Sequence, residues 1–284
     1  MRKLIGCALI GLAVNTSAQQ APPDTAKPVY GWKNNLVTGL NLTQVSFKDW
    51  QQGGEDALAW TLWMEGKSAD DLAKTNWTTT YKFAFGQTKL GKQDIRKTDD
   101  KIDLESVLSY KLGVKINPYV AATLKTQFAR GFLYNSDGTK TAVSKFFDPA
   151  YLTQSAGLAY QLAPQVLTRF GFALREVITS DFTGYADDPK TLSIEKTKTE
   201  GGLESVTTVD WKLAENLLFK SKLELFAAIN DLDVVIVRSD NTLSAKVSKY
   251  VTVNLNVQLI NERPVTPRTQ VKETIAIGLS YTLL

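Results

Sequence analysis

Apolar residues recur at every second position through most of this sequence from residue 32 onward. A side-chain period of two belongs to β-strands, whose successive residues point to opposite faces. Leu58, Trp60, Leu62 and Met64 share one face of such a strand. Trp77, Thr79, Tyr81, Phe83 and Phe85 oppose Thr78, Thr80, Lys82 and Ala84, and Ile102, Leu104, Leu108 and Tyr110 oppose Lys101, Asp103, Glu105 and Ser109. The pattern continues with Leu152, Ala156, Leu158 and Tyr160, with Phe170, Phe172 and Leu174 against Arg169 and Arg175, and with Leu203, Val209 and Trp211 against Lys198, Glu200, Glu204 and Asp210. Leu217, Phe219, Leu223 and Leu225 oppose Lys220, Lys222 and Glu224; Val253, Leu255 and Val257 oppose Asn254 and Asn256; Ile275, Ile277, Leu279 and Tyr281 close the series. Residues 36–47, 119–130 and 234–247 alternate less cleanly. Counting these, the pattern predicts 12 strands, and one turn of helix over 68–74.

The connections alternate as well. Short ones are predicted at 116–118, 163–165, 214–216 and 248–249. Long polar ones are predicted at 48–56, 86–99, 133–150, 180–197 and 261–269. The stretch 67–76 is long where a short turn belongs, and 230–233 is short where a loop belongs. A soluble sandwich gives no reason for short and long to alternate, whereas an outer-membrane barrel has short periplasmic turns and long external loops. The fold expected is therefore all-β: an up-and-down antiparallel transmembrane β-barrel of about 12 strands, with both termini on the periplasmic side. Trp32, Trp77, Tyr119, Tyr151, Trp211, Tyr250 and Tyr281 stand at strand ends, as interfacial aromatic girdles would. Apolar runs such as Val234-Val235-Ile236-Val237 fall far short of the roughly 20 residues a spanning helix needs. The competing reading is a soluble periplasmic β-protein with one face on a core and one in water.

The beginning of the chain supports export. Arg2 and Lys3, the apolar stretch 4–14 and the small residues Thr16-Ser17-Ala18 make a signal peptide over 1–18, cut after Ala18. Leu4-Ile5-Gly6-Cys7 matches a lipoprotein box, but the apolar core follows Cys7 instead of preceding it. Residues 19–31 read as a flexible Pro-rich leader and 32–284 as the barrel domain. The full sequence has 33 Lys and Arg against 29 Asp and Glu; removing Arg2 and Lys3 lowers the net charge from +4 to +2. That is no balance for a nucleic-acid partner. The sequence holds no histidine, and its one cysteine, Cys7, leaves with the signal. Disulfides, thiol nucleophiles, zinc and haem ligation and imidazole acid–base chemistry then drop out. No cofactor or metal is implied.

Charges on the faces opposite the apolar ones carry more information. Lys101, Asp103, Glu105, Lys111, Arg169, Arg175, Lys198, Glu200, Glu204, Asp210, Lys220, Lys222 and Glu224 are of both signs. Mixed signs on neighbouring strands predict ion pairs filling a lumen, where a porin-type filter would carry one dominant sign. Eight strands close on their own side chains and 16 to 18 leave a channel, so twelve admits either an occluded or a narrow lumen.

Other motifs are weaker. Gly86-Gln87-Thr88-Lys89-Leu90-Gly91-Lys92 has phosphate-loop spacing, but Gln93 replaces the magnesium-binding Ser or Thr and no helix follows, so it reads as a polar loop. Trp50, Gly53 and Gly54 predict a sharply folded loop that tucks its Trp back on the barrel; a ligand contact is the alternative. Arg96, Asp99 and Asp100 pack opposite charges at a strand entrance. The acidic pairs Asp70-Asp71 and Asp187-Asp188 read as solvated, because calcium needs six or more oxygens in a small space.

Four segments together resemble a known family: Asn-Leu-Thr-Gln-Val-Ser-Phe-Lys-Asp-Trp-Gln-Gln-Gly-Gly-Glu at 41–55, Arg-Lys-Thr-Asp-Asp-Lys at 96–101, Thr-Gln-Phe-Ala-Arg-Gly-Phe at 126–132 and Asp-Pro-Ala-Tyr-Leu-Thr at 148–153. The chain is similar, over about 32–284, to Bacteroidetes envelope proteins catalogued as a domain of unknown function (number three thousand and seventy-eight). That resemblance implies an outer-membrane barrel and no activity. Many such barrels end in an aromatic residue; Tyr281-Thr282-Leu283-Leu284 departs from that. The expected role is a narrow or occluded channel, a transport component or a structural envelope protein. Its expected partners are membrane lipid, small solutes and other envelope proteins. A barrel enzyme acting on lipid is the remaining alternative, and barrel lipases and proteases place a histidine that this chain lacks.

Overall fold

The computed structural model describes residues 30–48, 51–52, 54–188, 190–263 and 265–283. The signal segment with Cys7, most of the leader, Trp50, Gly53 and Leu284 lie outside the described residues.

Fourteen strands are described. In chain order they are β1 (Trp32–Val45), β2 (Ala57–Asp71), β3 (Thr75–Leu90), β4 (Arg96–Tyr110), β5 (Ile116–Thr126), β6 (Gly131–Tyr134), β7 (Lys140–Ser144), β8 (Ala150–Ala163), β9 (Val166–Ile178), β10 (Thr197–Ala214), β11 (Leu217–Ala228), β12 (Asp231–Lys246), β13 (Val251–Asn261) and β14 (Gln270–Thr282). Twelve of them form a closed antiparallel barrel in the order β1-β14-β13-β12-β11-β10-β9-β8-β5-β4-β3-β2, and β6 with β7 makes a separate hairpin. The barrel strands run from 11 to 18 residues, and about 9–11 tilted residues suffice to cross a bilayer.

The alternation decides which face turns inward. Leu104, Val120, Leu158, Phe170, Phe172, Ile275 and Ile277 stand exposed on the outer wall. The apolar core is correspondingly slight: Ala173, Phe226 and Ile236 pack together on the inner wall. The molecule thus presents its hydrophobic surface outward and its charges inward, the reverse of a soluble protein.

One end of the barrel carries tight connections at 72–74, 111–115, 164–165, 215–216 and 247–250; the other carries 46–56, 91–95, 127–149, 179–196, 229–230 and 262–269. The strand count agrees with the sequence pattern, but several boundaries move. No helical turn forms over 68–74, because Ser68–Asp71 pair with β3 and continue β2. The long connection expected there is accordingly a three-residue turn. The expected loop over 86–99 is mostly strand: Gln87 pairs with Lys97 and Thr88 with Arg96, leaving only 91–95 between β3 and β4. The turn expected at 116–118 also lies in a strand, since Ile116, Asn117 and Pro118 pair with β8. The strands expected at 36–47, 119–130 and 234–247 each begin earlier and end earlier, as β1, β5 and β12. The loop expected over 133–150 holds the β6–β7 hairpin.

Trp32 and Trp77 meet edge to face at 5.5 Å, and Tyr250 stacks on Tyr281 at 6.5 Å. With exposed Tyr110, Tyr160 and Trp211 they ring the short-turn end. Tyr119 and Tyr151 do not belong to this girdle. Tyr119 is buried and faces Arg169, and Tyr151 faces Arg175 and Arg238, so both rings turn inward.

Candidate functional site in the barrel interior

Strands that are not neighbours in a closed ring can touch only through its interior. Several charged side chains do so. Glu105 on β4 accepts from Arg169 on β9 and, at 2.9 Å, from Lys222 on β11. Lys222 also contacts Glu224 at 2.8 Å, and Glu224 accepts from Lys125 on β5. Both facing walls are thereby tied by alternating charge: Arg169, Glu105, Lys222, Glu224, Lys125. The Arg169 guanidinium lies 5.3 Å over the Tyr119 ring and is only 5% exposed.

A second cluster forms around Asp240 on β12. Lys101 from the opposite wall approaches at 2.8 Å and Lys82 at 3.4 Å, while Asn256 donates at 2.7 Å. Gln258 donates to Asn256 at 2.9 Å, which fixes the amide.

A third cluster caps the interior towards the long loops. Glu262, one residue past β13, accepts from Arg175 and, at 2.7 Å, from Arg238. Arg175 also lies 3.8 Å from Glu200, and Lys198 lies 2.8 Å from Glu200. The Tyr151 ring supports both guanidinium groups, Arg238 at 4.7 Å and Arg175 at 5.4 Å. Burial alone would push the Glu262 carboxyl up; Arg238 and Arg175 outweigh it and hold the group below the ordinary glutamate range. Between this cap and the Glu224 cluster lies a small interior space bordered by Lys125, Tyr151, Arg175, Glu204, Glu224 and Arg238.

Buried ions are costly unless paired and hydrogen-bonded. Here each carboxylate at a cluster centre accepts from more than one cation, so the charges are held in place. Fixed side chains of both signs thus meet across the barrel interior.

The remaining sequence-picked residues are dispersed. Lys220 reaches Glu65 on β2 at 3.8 Å. Asp103 lies in register with Lys82 and Lys125. Asp210 lies in register with Lys220. Lys111 does not face the interior: it follows β4 and bonds Asp71 at 2.7 Å and the Leu72 carbonyl at the short-turn rim. Arg96, Asp99 and Asp100 separate completely. Arg96 lies 4.3 Å over the Tyr134 ring of the external hairpin. Asp99 turns inward to Lys272 at 2.8 Å. Asp100 takes Lys97 at 2.7 Å and the backbone N–H groups of Phe128 and Ala129 at 2.6 and 2.9 Å, clamping the 127–130 segment. Gly54 adopts φ +133°, and a Cβ there would strike the Phe47 ring at 2.6 Å, so Phe47 packs on the loop.

Lys125, Arg238, Asp240, Glu262 and Lys272 belong to the interior network and were not singled out from the sequence. The first three lie on the irregular strands, where period-two continuation, through Tyr119, Ala121, Thr123 and Lys125 on β5 and through Ile236, Arg238, Asp240 and Thr242 on β12, is the signal that finds them.

A family model described as "Protein of unknown function (DUF3078)" matches residues 42–132. No curated protein matches the sequence. Among solved structures, the chain is similar to an outer membrane channel from Pseudomonas putida F1, with 10% identity over 92% of this chain and 98% of that one and a TM-score of 0.40. It is also similar to the translocator domain of the autotransporter NalP from Neisseria meningitidis, with 10% identity, 90% of each chain and a TM-score of 0.38. The NanC porin gives 13% identity over 88% of this chain and 100% of that one, with a TM-score of 0.38.

Proposed function

We propose that this chain is an outer-membrane β-barrel whose lumen is narrowed by ion pairs, acting as a restrictive channel or transport component for small solutes. One observation carries this reading: a closed barrel exposes apolar side chains outward and ties charged ones across its interior. Lipid makes that inversion favourable, because the outward apolar side chains then meet hydrocarbon instead of water, while the ring pairs the backbone of its strands. The ring of Trp and Tyr at the short-turn end suits a membrane interface, and the short turns orient that end to the periplasm. Export by cleavage after Ala18 completes the proposal, and membrane lipid is the principal partner. No catalytic role is proposed.

Flotation tests this reading. The protein is expected in the outer-membrane fraction and in floated vesicles, resisting carbonate extraction and migrating differently on gels with and without boiling. Recovery in the soluble periplasmic fraction would instead favour the soluble β-protein.

A further inference from the structure

The barrel is closed unevenly. β1 pairs with β2 along its whole length, from Trp32 to Val45. With β14 it pairs only at Val37 to Asn41, opposite Thr282 to Gly278. Among the described residues, Leu42–Val45 of β1 and Gln270–Ile277 of β14 have no ladder partner across this seam. The split opens towards the long-loop end. Ile275 and Ile277, on its outer lip, are 77% and 64% exposed, and Ile275 is the most exposed large apolar residue of any barrel strand described. Just below the split, Leu40, Leu62, Leu279, Tyr250 and Tyr281 border an apolar groove on the outer wall. On the inner side, Trp63 lies flat over Gly39 and Asn41 over Gly278, so close that a Cβ on either glycine would clash at 2.4 or 2.0 Å. Trp63 Nε1 and Asn41 Oδ1 are buried, and neither has a hydrogen-bond partner.

These features fit one kind of molecule. Unpaired strand edges inside lipid cost several kcal/mol for each unsatisfied group, so the split favours something able to hydrogen-bond. The groove beneath favours a hydrocarbon chain. We infer that the split seam is a lateral port holding a membrane lipid: its acyl chain lies in the Leu40–Leu279 groove, and its polar head bonds the exposed strand edges, Trp63 and Asn41. The head thereby faces the lumen and the chain the bilayer. This inference rests on the membrane reading above.

The test uses full-length protein in phosphatidylethanolamine vesicles doped with a phospholipid bearing a photoactivatable acyl chain, with crosslinked peptides mapped by mass spectrometry. Peptides around Leu40 and Ile275–Leu279 are expected to carry several-fold more label than those around Leu158 and Phe172 on the far wall. A disulfide between Thr43→Cys and Ala276→Cys, placed by extending the observed register, should zip the split and erase that excess. Trp63→Phe, which keeps the ring and removes the donor, should lower it. Uniform labelling in floated protein, or an excess that survives the closed disulfide, would overturn the port while leaving the membrane barrel intact. Protein that fails to float would overturn both. Boiling-dependent gel mobility verifies that each variant is folded.

Discussion

At the scale of single residues, the two kinds of ion pair in this molecule should behave differently. Glu105 holds Arg169 and Lys222 in the interior, so Glu105→Ala leaves the buried Arg169 without its carboxylate and Lys222 with Glu224 alone. Breaking such a pair costs about 3–5 kcal/mol. Lys140 meets Asp94 at 3.1 Å on the exposed external hairpin, and Lys140→Ala should cost about 0–1 kcal/mol. Urea unfolding in lipid vesicles measures both, and equal costs would contradict the interior placement. Glu262 adds a pH dependence. Its folded value is depressed, so its stabilisation is full above the ordinary value of 4.5 and is lost as pH falls through the folded one. Glu262→Gln should therefore flatten the acid limb of the stability profile and leave the shape near pH 7 unchanged.

At the scale of the strand, facing is the property that the sequence made legible. Leu104 points out and Thr80, on the neighbouring strand, lies opposite inward-facing Glu105. Leu104→Arg, near the middle of β4, should cost about 2–4 kcal/mol in the bilayer, and Thr80→Arg much less. Folding yields into vesicles check this, and similar penalties for the two would refute the facing. The clean strands were readable because an apolar outer face and a charged inner one impose strict alternation. β12 was blurred for a physical reason. Ser239 and Asn241 stand on its outer face and hydrogen-bond each other at 2.8 Å, and Ser221 donates to Asn241 at 2.7 Å, so polar residues fall on both sides. Arg238 and Asp240 were hidden by that. Extension of β3 and β4 through 86–90 and 96–99 was equally hidden, because rim residues are polar whether paired or not. Tyr119 and Tyr151 look like girdle residues until their cation partners are seen. The split between β1 and β14 has no local signal at all, since it depends on how the first and last strands meet.

For the whole molecule, twelve strands enclose an interior between the filled eight-stranded barrel and the open porin, and side chains decide which it resembles. Here Glu105, Lys222, Glu224 and Lys125 span the ring with two charges of each sign. Replacing all four with Ala keeps the net charge and removes this set of crossbars, leaving the Asp240 and Glu262 clusters in place. Planar-bilayer recording of the unaltered and fourfold-substituted barrels, each verified as folded by its boiling-dependent mobility, is the most direct measurement. The account predicts little conductance from the unaltered barrel and a steady, larger one from the substituted form. A large steady conductance from the unaltered barrel that the four substitutions leave unchanged would contradict it.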